Sequence, residues 1–155
     1  MKFKSLASTN LAVLALRLVQ FFFAGMEVGL MGYFIKQQTS SGKSASSPYC
    51  FVTVVGVITM LTQFIYCFNI YHVHLFLWDA CLATAWLLSF FWLLNFESPV
   101  GCSWSAFNPF GSDHCGQIRA VLVIQIVLAV LWYLTALLGL WTLIKARRKN
   151  NLVAA

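Results

Sequence analysis

The side chains able to carry charge or a proton inside apolar surroundings are few. Arg17, Gln20 and Glu27 lie in "LALRLVQFFFAGMEVGL" (14–30), and Asp79 opens "DACLATAWLLSFF" (79–91). Their chemistry would be ion pairing, hydrogen bonding or proton relay. Ionisable residues within membrane spans are rare and face the interior of a bundle. At about 100° per residue, Gln20, Ala24, Glu27 and Met31 fall within roughly 60° of one another, with Arg17 at the stripe's edge.

If the first and third apolar segments both enter from the same side, Arg17 and Asp79 share a depth. The sequence then predicts an ion pair tying helix one to helix three. In the alternative, Arg17 snorkels to headgroups and Asp79 caps its helix at the positive dipole end. Glu27 sits about 15 Å further along the first helix. It is either protonated or hydrogen-bonded to an amide such as Gln63 or Gln125. One carboxyl without a chain of partners reads better as structural glue than as a relay.

Other chemistry finds little support. No Gly-rich phosphate loop, Ser/His/Asp set or carboxylate pair is present, so no enzyme and no cofactor are expected. His72 and His74 lack an evident third metal ligand. Of the 155 residues 61% are hydrophobic and only 9% charged, too few to cover a water-soluble surface. The net charge of +6 concentrates at Lys2, Lys4, Lys145, Arg147, Arg148 and Lys149, flanking apolar runs. That placement suits membrane topology and anionic-lipid contact at Lys145, Arg147, Arg148 and Lys149, not nucleic acid.

These residues must be positioned by four apolar segments, about 11–35, 51–71, 75–96 and 118–145. Each is long enough to cross a hydrocarbon core of about 30 Å. The fold expected is an all-α membrane protein, a four-transmembrane-helix bundle forming one domain over 1–155. A Ser-rich loop (36–50) and a Pro/Gly-rich loop (97–117) fall on one face, and a basic tail (146–155) on the other. The excess of Lys and Arg at the two ends places both termini in the cytoplasm. Lys2 and Lys4 before an apolar run resemble a signal peptide, but Arg17 interrupts the run and its length exceeds signal length, so a retained first span is expected.

Cys102 and Cys115 share the long outer loop and are expected to form a disulfide on the oxidising side, with Cys50 as a competing partner. Cys67 and Cys81 fall near the inner ends of segments two and three, where small core residues or palmitoylation sites are both plausible. Gly25, Gly29 and Gly32 form a second face of helix one. The run "GMEVG" (25–29) is a GxxxG match, which would pack a neighbouring helix or support self-association.

Taken in order, "LALRLVQ" (14–20), "LWDACLATAWLLSFF" (77–91), the Cys102/Cys115 pair and "WYLTALLGL" (132–140) resemble the MARVEL-domain membrane proteins, and most of all their fungal branch. The resemblance covers nearly the whole chain, though Glu27 has no counterpart in it. Claudin-like proteins carry their Trp/Cys signature in the first outer loop, and tetraspanins a CCG that is lacking here. The resemblance implies organisation of lateral membrane domains or membrane trafficking, through lipids, other membrane proteins or self-association, with the plasma membrane as the expected site. The competing expectation is a small transporter, channel or accessory subunit using Arg17, Glu27 and Asp79.

Overall fold

A computed structural model describes residues 2–67, 75–98 and 114–153, with side chains over 13–66, 76–98, 114–145 and 147–148. Four helices make up the described chain: α1 (Lys2–Ser40), α2 (Ser47–Cys67), α3 (Leu75–Glu97) and α4 (His114–Val153). Each contains a stretch long and apolar enough to cross a membrane: Val13–Ser40, Ser47–Tyr66, Phe76–Glu97 and His114–Lys145. The protein is an all-α, multi-pass integral membrane protein. His72, His74 and Cys102 lie outside the described residues, as do the side chains of Cys67 and Lys149.

The helices outrun the apolar segments that announced them. α1 starts at Lys2, nine residues before the expected 11, and continues to Ser40 through "KQQTS", part of the expected 36–50 loop. α4 begins at His114 and runs on through "KARRKNN". Lys, Gln, Arg and Ala are good helix formers, so hydrogen bonding continues after the hydrocarbon pattern ends. What stops α1 is Gly42, whose φ of 75° is the left-handed cap conformation. The Lys43 N–H bonds to the Gln38 carbonyl at 3.2 Å and the Gly42 N–H to that of Thr39 at 3.1 Å, which is a Schellman closure. Gln38 Oε1 also accepts the Ser46 N–H at 2.9 Å. The short connection is therefore a structured turn, not the flexible loop its serines suggested. Pro48 is tolerated in the first turn of α2, where its missing N–H has no intrahelical partner to lose.

Each helix packs against its sequence neighbours, and α4 closes the ring on α1; the diagonal pairs α1/α3 and α2/α4 do not bring their backbones together. α1 begins, and α4 ends, at one end of the bundle, called here the basic end. Met31, Trp86, Leu93, Leu128 and Trp132 fill the centre at 0% exposure. Phe22, Phe64, Phe91, Leu137 and Trp141 stand on the outside, as expected of helices that are apolar all round and face lipid.

The glycine that brings helices together is not one of the three singled out. A Cβ on Gly29 or Gly32 would meet no atom within 4 Å, and on Gly25 only Met60 Cε at 3.9 Å. On Gly56 of α2 it would fall 2.5 Å from Val28 Cγ2, with the Ala24 carbonyl oxygen at 3.7 Å and Trp86 at 3.8 Å. The α1/α2 contact thus runs through Ala24 and Val28, and among the described residues the Gly25/Gly29/Gly32 edge has only Met60 beside it, at ordinary contact distance from Gly25. A GxxxG spacing states that a face is smooth; it does not state which face the neighbour chooses.

Candidate functional site

The polar groups of the spans are gathered inside the bundle in three levels. At the basic end, Arg17 Nη2 donates to Asp79 Oδ2 at 2.6 Å, and Nη1 to Gln20 Oε1 at 3.3 Å. The guanidinium carbon lies 4.2 Å from the centre of the Tyr66 ring and 4.9 Å from that of Trp132. The Tyr66 hydroxyl donates to the other Asp79 oxygen at 2.6 Å. One arginine therefore touches all four helices. Its charge is matched by one carboxylate, and its flat faces are covered by aromatic rings, which attract a cation. Arg17 is mostly buried and Asp79 almost fully so, so the pair is held from water and each charge needs the other. Arg17 does not snorkel to headgroups, and Asp79 is not spent as a helix cap.

Above this node, Gln63 Nε2 donates to Gln20 Oε1 at 2.9 Å, so a single amide oxygen receives both Arg17 and Gln63. Trp86 Nε1 donates to Thr59 Oγ1, and Trp78 Nε1 to Thr62 Oγ1, both at 3.2 Å. These bonds join α2 to α3.

At the middle level stands Glu27, with 0% exposure. Gln125 of α4, also at 0%, is the side chain that acts on its carboxyl. Neither reaches hydrogen-bonding geometry: both Glu27 oxygens and both terminal atoms of Gln125 lack a partner. Gln63, the other expected partner for Glu27, belongs instead to Gln20.

The third level, at the far end, was assigned to a loop by its sequence and is part of the bundle. Glu97, the last residue of α3, is buried. One of its oxygens accepts the Tyr49 hydroxyl, and the other lies 3.5 Å from His114 Nε2 at the start of α4. Phe34 of α1 packs on both rings, 5.8 Å from Tyr49 and 5.2 Å from His114 between centroids. Arg119 is buried about one turn further into α4.

Cys115 is disulfide-bonded, whereas Cys50 and Cys81 are free and exposed, so Cys50 is not its partner. Lys145, Arg147 and Arg148 are exposed along the last turns of α4. Among the described residues no group of three or more His, Cys, Asp or Glu side chains gathers.

Sequence reasoning missed Tyr66, Trp132, Tyr49 and Glu97. Tyr and Trp in a span read as interfacial anchors, and only the fold distinguishes Trp132, buried, from Trp141, exposed. No protein family, curated protein or solved structure matches this chain.

Proposed function

We propose that this protein is a non-enzymatic membrane organiser, working laterally through its outer surface in the manner of the MARVEL-domain proteins it resembles. The observation that carries this reading is the division of its surfaces. Arg17, Gln20, Gln63 and Asp79 are committed to one another inside the bundle. The outside presents an almost continuous aliphatic and aromatic coat, including Phe22, Phe64, Phe91, Trp92 and Trp141. A surface of that kind can select lipids and neighbouring membrane proteins, and the Gly25/Gly29/Gly32 edge offers a smooth face for a second helix.

In this reading both termini are cytoplasmic, and Lys145, Arg147, Arg148 and Lys149 lie against anionic headgroups, each adding about 1 kcal/mol of attraction near the surface. The plasma membrane is the expected location. Cys102 is the partner of Cys115, closing the outer loop on the oxidising side.

Photobleaching of a fluorescent fusion at the C-terminus tests the proposal in living cells. Slow recovery within discrete patches is the expected outcome. Uniform distribution with fast recovery would remove the reading.

A further inference from the structure

Gln20 and Gln63 each leave one terminal atom without a hydrogen bond but use the other, whereas Glu27 and Gln125 use neither. Both are wholly buried, they face each other from α1 and α4, and all four terminal atoms lack a hydrogen bond. Buried polar groups nearly always have partners, so an exception calls for an explanation. An ionised carboxylate in such surroundings would require a cation or several donors.

Among the described residues, none of the charged or titratable groups brought by the four helices supplies that. On α1, Arg17 is engaged by Asp79 and Gln20, about 15 Å away along the helix. On α2, Tyr66 donates to Asp79 and Tyr49 to Glu97. On α3, Asp79 and Glu97 are carboxyl groups, which bring no cation, and have their own partners. On α4, His114 lies by Glu97. Arg119 is engaged in its own interaction, six residues from Gln125 and about 9 Å along the axis.

We propose that Glu27 and Gln125 form a proton-binding site in the middle of the bundle, in which a carboxylic acid on α1 is held by a primary amide on α4. The pair is satisfied at both ends only when the acid carries its proton. The acid O–H donates to Gln125 Oε1, and Gln125 Nε2–H donates to the remaining Glu27 oxygen. One proton thus satisfies both side chains through two bonds, whereas a carboxylate could take only the Nε2–H and would leave Gln125 Oε1 without a donor. Closing the pair requires turning the terminal torsions of Glu27 and Gln125, which are broad and cheap to rotate.

The site lies on the seam where the last helix closes on the first. While the proton is bound, the seam is neutral and joined. When it leaves, an unpaired charge stands inside it and favours opening. This site does not depend on the organising role proposed above, and its test is separate.

The full-length chain in lipid nanodiscs supplies the test, by infrared difference spectroscopy at neutral pH. A carboxylic-acid C=O stretch is expected in the wild type, lost in Glu27→Gln, and displaced to higher frequency in Gln125→Leu as its hydrogen bond disappears. A carboxylate signature in place of the acid band, or an acid band unmoved in Gln125→Leu, would overturn the proposal. Dicyclohexylcarbodiimide tests the unmodified protein and needs no variant to fold. The acid proton passes to a carbodiimide nitrogen, the carboxylate oxygen adds to the central carbon, and migration of the acyl group from oxygen to nitrogen leaves a stable N-acylurea. Peptide mass mapping should find the adduct at Glu27 and not at Asp79, whose two oxygens are taken by Arg17 and Tyr66. An unlabelled Glu27, or equal labelling of Asp79, would sink it.

Discussion

Arg17 on α1 and Asp79 on α3 meet at 2.6 Å across a diagonal that the helix backbones themselves do not bridge. Among the described residues the helix backbones approach one another only between sequence neighbours and where α4 closes on α1. This pair, flanked by Tyr66 from α2 and Trp132 from α4, fixes the depth of opposite corners relative to each other. Apolar contacts between lipid-like helices discriminate poorly among neighbouring registers, because lipid tails are as apolar as the side chains. A buried charge pair discriminates strongly, since sliding one helix strands two charges.

Removing one partner should therefore cost more than the pair contributes. Arg17→Ala or Asp79→Ala is expected to lower stability by about 3–5 kcal/mol. The double variant should lose clearly less than the sum of the two, and the exchanged Arg17→Asp/Asp79→Arg chain should recover part of the loss. Arg17→Lys should fall between, because one ammonium cannot serve Asp79, Gln20 and two rings together. Reversible unfolding in mixed micelles measures all of these. Additive single losses with no recovery on exchange would remove the register argument.

The packing of α1 on α2 makes a sharper contrast between two glycines. Gly56→Ala would drive a methyl to 2.5 Å from Val28 Cγ2, and Val28 is β-branched with little rotamer freedom in a helix. A loss of about 1–3 kcal/mol is expected. Gly29→Ala meets nothing within 4 Å and should gain about 0.5–1 kcal/mol from reduced backbone freedom in the unfolded chain. Both are read from the same unfolding experiment. The reverse order would mean that α1 turns its GxxxG edge inward.

The fold was legible because lipid imposes its demand on every residue of a span: four long apolar runs could hardly be anything but four helices. The inward stripe of Gln20, Ala24, Glu27 and Met31 was legible too, since ionisable and amide groups have only one tolerable direction. Met31 and Ala24 are at 0% exposure with the two polar residues. The partners were harder. Asp79 could be reached by matching depths, but Tyr66 and Trp132 share their composition with lipid-facing aromatics, and only the rotation of each helix separates them. Gly56 gave no signal because one small residue suffices where the opposing helix offers Ala24. Glu97 was misread for a different reason: the hydropathy pattern ends before the helix does.

The cysteines permit a chemical check on the outer loop. Cys115 is bonded and Cys50 and Cys81 are free. Maleimide should label Cys50 and Cys81 in the unreduced chain, and non-reducing peptide mapping should return a Cys102–Cys115 cross-link. Cys115→Ser should lower stability by about 3 kcal/mol, the chain-entropy contribution for a loop of this size. A Cys67–Cys115 peptide would contradict the assignment of the loop.

At the far end of the bundle, the three contacts around Glu97 should differ in weight according to burial. Tyr49→Phe removes a buried donor and leaves a buried carboxylate oxygen unsatisfied, for an expected loss of about 1–3 kcal/mol. His114 is half-exposed and 3.5 Å from its partner oxygen, so His114→Ala should cost only about 0–1 kcal/mol through the ion pair, plus the loss of its packing on Phe34. Glu97→Gln keeps an acceptor for the Tyr49 hydroxyl and should be milder than Tyr49→Phe. Hydrogen exchange separates a local effect from a global one. In Tyr49→Phe, amides at the start of α2 and the end of α3 should exchange faster, while those around Arg17 and Asp79 keep their protection. Uniformly faster exchange along all four helices would mean instead that Glu97 supports the whole bundle, and that its three levels of polar contacts unfold as one.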